Sequence, residues 1–178
     1  MRKIARVAVL VGLFSGAAHA QGVATQNVNL TATVGGYCTI DGGPTGTLRS
    51  ATVPVTNGVV TSGPLALGGT SGQVICTLNA KIQLTSANAG LTNPATVADP
   101  FINKIHYTAT ASYNGANETI NTTTATAGVA TSGAVTTQGG KTNFPLDLAV
   151  NITPTPQNKY LANGTYSDTL VVTLSPMP

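Results

Sequence analysis

The strongest constraint in this sequence is a two-residue rhythm. Phe144, Leu146, Leu148, Val150 and Ile152 alternate with other residues and are bounded by Pro154 and Pro156. Near the other end of the pattern, Tyr166, Asp168, Leu170, Val172 and Leu174 share one phase, while Thr169, Val171 and Thr173 take the other. Successive side chains of an extended chain point to opposite faces, so this spacing lines one side of a β-strand with apolar groups. A helix needs its apolar residues every three or four positions, and no segment sustains that. Weaker alternations recur at Val74-Cys76-Leu78, at Ile82-Leu84, and across 102–113, where Ile105, Tyr107, Ala109 and Ala111 fall on one side. Asn57-Gly58, Asn114-Gly115 and Asn163-Gly164 punctuate them, and Asn-Gly favours tight turns. Residues 88–100 read as loop. The Thr/Ala/Gly/Ser stretch at 122–140 reads as weak strands or a loop. Short alternating strands separated by turns predict an all-β fold, an antiparallel sandwich whose leading version is an immunoglobulin-like Greek key.

The first twenty residues follow a different logic. Arg2, Lys3 and Arg6 make a basic start, Val7 to Phe14 are mostly apolar, and Ala18-His19-Ala20 has the small-x-small form that signal peptidase accepts. The apolar run is only about 8 to 12 residues, short of the roughly 20 that a membrane-spanning helix needs. Residues 1–20 are therefore expected to be a signal peptide, with the mature chain starting at Gln21. Three of the eight basic residues leave with it. Arg49, Lys81, Lys104, Lys141 and Lys159 then balance Asp41, Asp99, Glu118, Asp147 and Asp168. The basic balance of the full chain is a property of the targeting segment and argues nothing about nucleic acid or anionic lipid. Only 7% of residues are charged, against about 25% in ordinary soluble domains. A neutral, Thr-rich surface has little repulsion to keep copies apart and suits a protein that packs against itself.

Cys38 and Cys76 both lie in the part expected to be exported, where an even pair reads as a disulfide. Closing a loop of about 39 residues would stabilise the fold by roughly 4 kcal/mol in the chain-entropy picture. A redox pair would show C-x-x-C spacing, and a metal site would need more ligands than His106 supplies. Nothing points to catalysis. His106 sits in a strand pattern beside Lys104, the acids are scattered singly, and there is neither a phosphate loop nor an H-E-x-x-H. No catalytic residue, metal ligand or cofactor is expected. A carbohydrate-binding module is disfavoured on composition, because Trp is absent and aromatics make up only 4% of the chain.

Two stretches carry a family resemblance. Val28 to Ile40, V-N-L-T-A-T-V-G-G-Y-C-T-I, lies close behind the signal peptide, and Gly164 to Leu174 reads G-T-Y-S-D-T-L-V-V-T-L. With Cys76 in G-Q-V-I-C-T, the chain resembles the spore coat protein U domain shared by Csu-type pilins of archaic chaperone–usher systems. The resemblance implies an immunoglobulin-like sandwich lacking its final strand. A periplasmic chaperone lends a strand, and at an outer-membrane usher the N-terminal extension of the next subunit replaces it. The expected partners are thus that chaperone, the usher and identical or related pilin subunits. The expected destination is the cell surface, reached through the periplasm. The donor segment is expected at residues 21–31, with Ala24, Val28 and Leu30 in one phase that Gln26 interrupts. Val28 and Leu30 fit equally the first strand of their own domain, whereas Ala32 and Val34 are read as belonging to the domain at 32–178. Tyr166, Leu170, Val172 and Leu174 are the expected core face of the last strand. The reading is a pilus or fibre subunit serving adhesion or biofilm formation. The alternative is a secreted, self-associating coat or matrix protein that folds without strand exchange.

Overall fold

Most of the alternating segments become strands whose apolar phase faces the core; Leu78 does not, because the strand ends at Cys76 and the chain bends, leaving Leu78 exposed. The computed structural model describes residues 31–32, 35–41, 51–67, 72–125, 129–137 and 141–177, with the backbone alone at 141–143. The expected signal peptide and the donor residues Ala24, Val28 and Leu30 lie outside the described residues. Thr31 and Ala32 are exposed and belong to no strand. From Gly35 onward the described residues belong to one unit, Val34–Pro178.

Among the described residues, seven strands of three residues or more carry the fold. They are β1 (Cys38–Ile40), β2 (Gly72–Cys76), β3 (Ala80–Ser86), β4 (Tyr107–Tyr113), β5 (Ala116–Asn121), β6 (Lys141–Ile152) and β7 (Leu170–Pro176). One sheet runs β1–β2–β6–β4–β5, with Gly63–Pro64 paired to the end of β6. The second is built on β3, with β7 along one side and the short pieces Ala130–Thr131 and Val135–Thr136 along the other. All these pairings are antiparallel. The inner faces meet in one core, to which Val74, Ala109, Ala111, Tyr113, Val150 and Ile152 contribute from the first sheet and Ala80, Ile82 and Leu84 from the second. The chain is an all-β, antiparallel sandwich. No helix among the described residues is long and apolar enough to cross a membrane.

The turns form where Asn-Gly stands. Asn57 and Gly58 (φ 52° and 73°) join Val55–Thr56 to Val59–Val60, and Asn114 and Gly115 (φ 45° and 79°) join β4 to β5. Positive φ at both central residues matches the twist of the flanking strands. Where Tyr113 leaves β4, its ring meets that of Phe144 edge-on, 5.7 Å between centroids and 85° between planes. That is the favoured geometry for two aromatic quadrupoles.

One segment differs from its single-strand expectation, and the 122–140 stretch resolves into weak strands. The run 102–113 keeps its phase, with Ile105, Tyr107, Ala109 and Ala111 buried, but it is broken at Asn103 and His106. The reason is a change of partner. Phe101–Ile102 pairs with Tyr160–Leu161, Lys104–Ile105 with Leu91–Thr92, and β4 with β5 and β6. The low-complexity stretch supplies an edge to β3 in two fragments. Where the ladder lapses, side chains take over: the Leu84 amide donates to Ser132 Oγ (2.9 Å) and the Ala80 amide to Thr137 Oγ1 (3.1 Å). Buried backbone donors are thereby paired without a regular strand.

Cys38 and Cys76 stand directly opposite each other in the β1–β2 pair and are joined by a disulfide, Cα to Cα 4.2 Å. β1 is only three residues long, so the covalent link holds in place a strand with few ladder bonds of its own. Replacing both cysteines (Cys38→Ser with Cys76→Ser) is expected to cost about 2 to 5 kcal/mol. Urea unfolding with and without reductant measures it: the wild type should lose stability on reduction and the double variant should not respond.

Candidate functional site: the open side between β1 and β7

A sandwich has two sides on which its sheets end. On one, β5 lies against Ala130–Thr131 and Val135–Thr136, and the sheets close on each other. On the other stand β1 and β7. The described partner of β1 is β2 and that of β7 is β3, and among the described residues no strand pairs with the outer edge of either. The two approach at one end, where Gly36, just ahead of β1, lies against Leu78 and Pro176.

Burial exposes what this arrangement leaves undone. Leu174 is paired with Ile82 and Val172 with Leu84, so each pair points to the same face of the same sheet. Ile82 and Leu84 are 0% exposed, yet Leu170, Val172 and Leu174 are only half-buried. Ile40 on β1 is half-buried as well. The core layer is therefore complete beneath β3 and incomplete one strand further out. Completing the burial of these four side chains would be worth at most roughly 0.5 to 1 kcal/mol each, about a third of the value for burying a whole aliphatic side chain.

The edge of β7 is also undefended. Exposed edges are usually blunted by lysine, by proline, by a bulge or by a covering segment. Leu-Val-Val-Thr-Leu-Ser-Pro has no charged residue, and its one proline is the last residue of the strand. Val171 and Thr173 are exposed on the outer face.

The start of β7 is anchored by Asp168. Its Oδ2 accepts from Tyr107 Oη (2.7 Å) and Ser86 Oγ (2.5 Å), and its Oδ1 from the amides of Asn88 (2.9 Å) and Thr169 (2.8 Å). The Gly90 amide reaches Oδ2 at 3.3 Å. One carboxylate thus ties β7 to β3, to β4 and to the loop after β3. Burial raises the pKa of the Tyr107 phenol well above its ordinary value of 10.0; the Ser86 hydroxyl lowers it in part, and Asp168 raises it again through its hydrogen bond and its charge. The phenol therefore stays protonated and continues to donate. Just upstream, Tyr166 Oη donates to the carbonyls of Ile102 (2.9 Å) and Ala162 (3.0 Å). Between them Gly164 adopts φ 138° with the Asn93 amide packed where a Cβ would stand, which only glycine permits.

The residues expected to matter fall into two groups. Cys38 and Cys76 are bonded across β1 and β2, and Leu170, Val172 and Leu174 lie on the core face of β7. Tyr166, expected on that same strand face, instead stands four residues ahead of β7, because its hydroxyl is held by the Ile102 and Ala162 carbonyls rather than by the ladder to β3. Ala24, Val28 and Leu30 lie outside the described residues. The clamp on Asp168 had no counterpart in the sequence reading beyond its phase, although an acid in an otherwise apolar phase is a signal for buried polar partners. His106 is half-buried, with Nδ1 3.3 Å from Thr122 Oγ1. Burial, and secondarily Lys104, lower its pKa. No family model matches this chain, and no curated protein or solved structure matches it significantly.

Asp168→Ala leaves four donors from other elements without their acceptor and is expected to destabilise by about 3 kcal/mol, with Asp168→Asn costing less. The urea midpoint, at unchanged slope, reads this directly. A second expectation concerns alkaline pH. The folded state keeps the Tyr107 proton where the unfolded chain loses it, so unfolding releases a proton above the unfolded value near 10.0. The stability contribution is whole below that pH and declines above it. Burial of Tyr113, whose hydroxyl has no partner among the described residues, raises its pKa and acts in the same direction. Tyr107→Phe should flatten the loss of stability above pH 10, part of the slope remaining through Tyr113.

Proposed function

We propose that this chain is a structural subunit of a cell-surface pilus or fibre, assembled by donor-strand exchange and serving adhesion or biofilm formation. The observation that carries this reading is the state of β7: a long, uncharged edge whose core-facing Leu170, Val172 and Leu174 stay half-buried while their register partners on β3 are fully covered. Such an edge is a template for an added strand, with backbone bonds giving strength and alternate side chains giving register. β1, held to β2 by the disulfide, forms the opposite wall.

In this reading the sandwich is immunoglobulin-like. Tyr166 supports that version: its hydroxyl reaches back four residues to the Ala162 carbonyl at the approach to β7, as the tyrosine corner does before the sixth strand of an immunoglobulin fold. An added strand beside β7 would then stand where that fold has its seventh. The chain resembles the spore coat protein U and Csu-type pilin family in its motifs. Its partners are accordingly a periplasmic chaperone that covers the edge, an outer-membrane usher, and the N-terminal segment of the next subunit, with Ala24, Val28 and Leu30 as inserting residues. Residues 1–20 direct export, and neither cofactor nor catalysis is involved.

Deleting Gln21 to Val28 from the mature chain tests the proposal. The truncated subunit is expected to fold, to be recovered bound to its chaperone, and to fail to extend fibres seen by electron microscopy. Normal fibres from the truncated chain would overturn strand exchange and favour a coat protein that accretes without it.

A further inference from the structure

Among the described strands, one pair is parallel. Tyr160–Leu161 lies beside Phe101–Ile102, with Tyr160 opposite Phe101 and Leu161 opposite Ile102. Leu161 is buried and Ile102 half-buried against the core. Alternation therefore turns Tyr160 and Phe101 outward together, on strands about 4.8 Å apart. They are 45% and 50% exposed. In a chain with five Tyr, three Phe and no Trp, two exposed aromatic residues in direct register on one face are conspicuous, since isolated exposed apolar residues are ordinary and paired ones are not.

The platform is rigid. The Tyr160 amide donates to the Pro100 carbonyl (3.1 Å), the Phe101 amide to Ala98 (2.9 Å), the Leu161 amide to Gly58 (2.7 Å) and the Ala162 amide to Ile102 (3.0 Å). Tyr166 Oη braces the Ile102 and Ala162 carbonyls from beneath. Rings held on a fixed backbone lose little entropy on binding. The rim is polar: Asp99 and Lys159, each one residue or two from a ring in sequence, form an ion pair that links the two segments, with Asp99 largely exposed and Lys159 partly so. An exposed ion pair contributes little to stability, about 0 to 1 kcal/mol, and both groups keep lone pairs or protons to offer a ligand.

We infer that Phe101 and Tyr160, rimmed by Asp99 and Lys159, form a binding platform for a pyranose ring of an oligosaccharide. A sugar presents an apolar face of C–H groups, which stacks on an aromatic ring, and an equatorial rim of hydroxyls, which hydrogen-bonds to a carboxylate and an ammonium. An apolar surface would use the rings and leave the charged rim desolvated at a cost. A small-molecule site of this kind combines aromatic area with a few placed polar groups. Low aromatic content alone argues against sugar recognition, but two rings suffice when the fold registers them. The inference stands independently of the fibre reading.

The test uses the full mature chain titrated with cellotetraose, chitotetraose and maltotetraose while the aromatic ring signals are followed by NMR. At least one sugar is expected to shift the Phe101 and Tyr160 signals saturably, with Kd on the order of 1 mM. Phe101→Ala and Tyr160→Ala should each weaken binding by roughly tenfold, and Asp99→Asn by roughly threefold with the unfolding midpoint unchanged. Absence of ring shifts with all three sugars at tens of millimolar, on the order of tenfold above that Kd, would overturn the inference. So would shifts that Asp99→Asn and the ring substitutions leave intact. Retention on an octyl resin that Phe101→Ala and Tyr160→Ala abolish, without any sugar response, would assign the pair to an apolar partner instead.

Discussion

The antiparallel pairing of β7 with β3 is the interaction on which the open side depends. It runs from Leu170 opposite Ser86 to Pro176 opposite Ala80 and, among the described residues, attaches β7 along one edge only. Along that ladder the backbone is satisfied and the phase of the side chains is fixed, so Leu170, Val172 and Leu174 must point toward the core whether or not the core reaches them. It does not fully reach them, because the facing sheet ends in the three residues of β1. An edge that is well attached and poorly covered follows from this geometry.

Two devices keep that edge in place without hiding it. The carboxylate of Asp168 gathers donors from β3, β4 and the following loop at the start of the strand, and the Cys38–Cys76 bond holds the opposite wall to β2. Neither covers apolar surface. Both hold their strand in place at a site where hydrophobic burial is incomplete. A collapsed edge would shed the half-buried side chains into the core and close the site.

Much of the fold was legible because period-2 alternation and Asn-Gly turns are local. β6, the apolar phase of β7, the turn at Asn114-Gly115 and the buried phase of Ile105 to Ala111 can be read directly from residue order, whereas the strand after that turn, β5, was not legible. The break at Asn103 and His106 could not, since it arises from a change of partner between Tyr160–Leu161, Leu91–Thr92 and the main sheet. Nor could the role of 130–137, where Ser132 and Thr137 hydroxyls substitute for a strand ladder. Of the site, the apolar face of β7 and the cysteine pair were legible, while the convergence of Ser86, Tyr107 and Asp168 spans 82 residues and was not.

By itself the sequence determined that the chain forms short strands with one apolar face, and which residues lie on that face, because side-chain direction in a strand follows from position alone. It also determined that two cysteines stood available to bond. Only the tertiary structure decided which strands end up at the margin of the sandwich, that β7 and β1 share the open side, and that Phe101 and Tyr160 stand together in solvent. Those outcomes depend on pairings between residues far apart in the chain. Pairing is decided by which backbone groups and faces find partners, a property of the whole packed molecule.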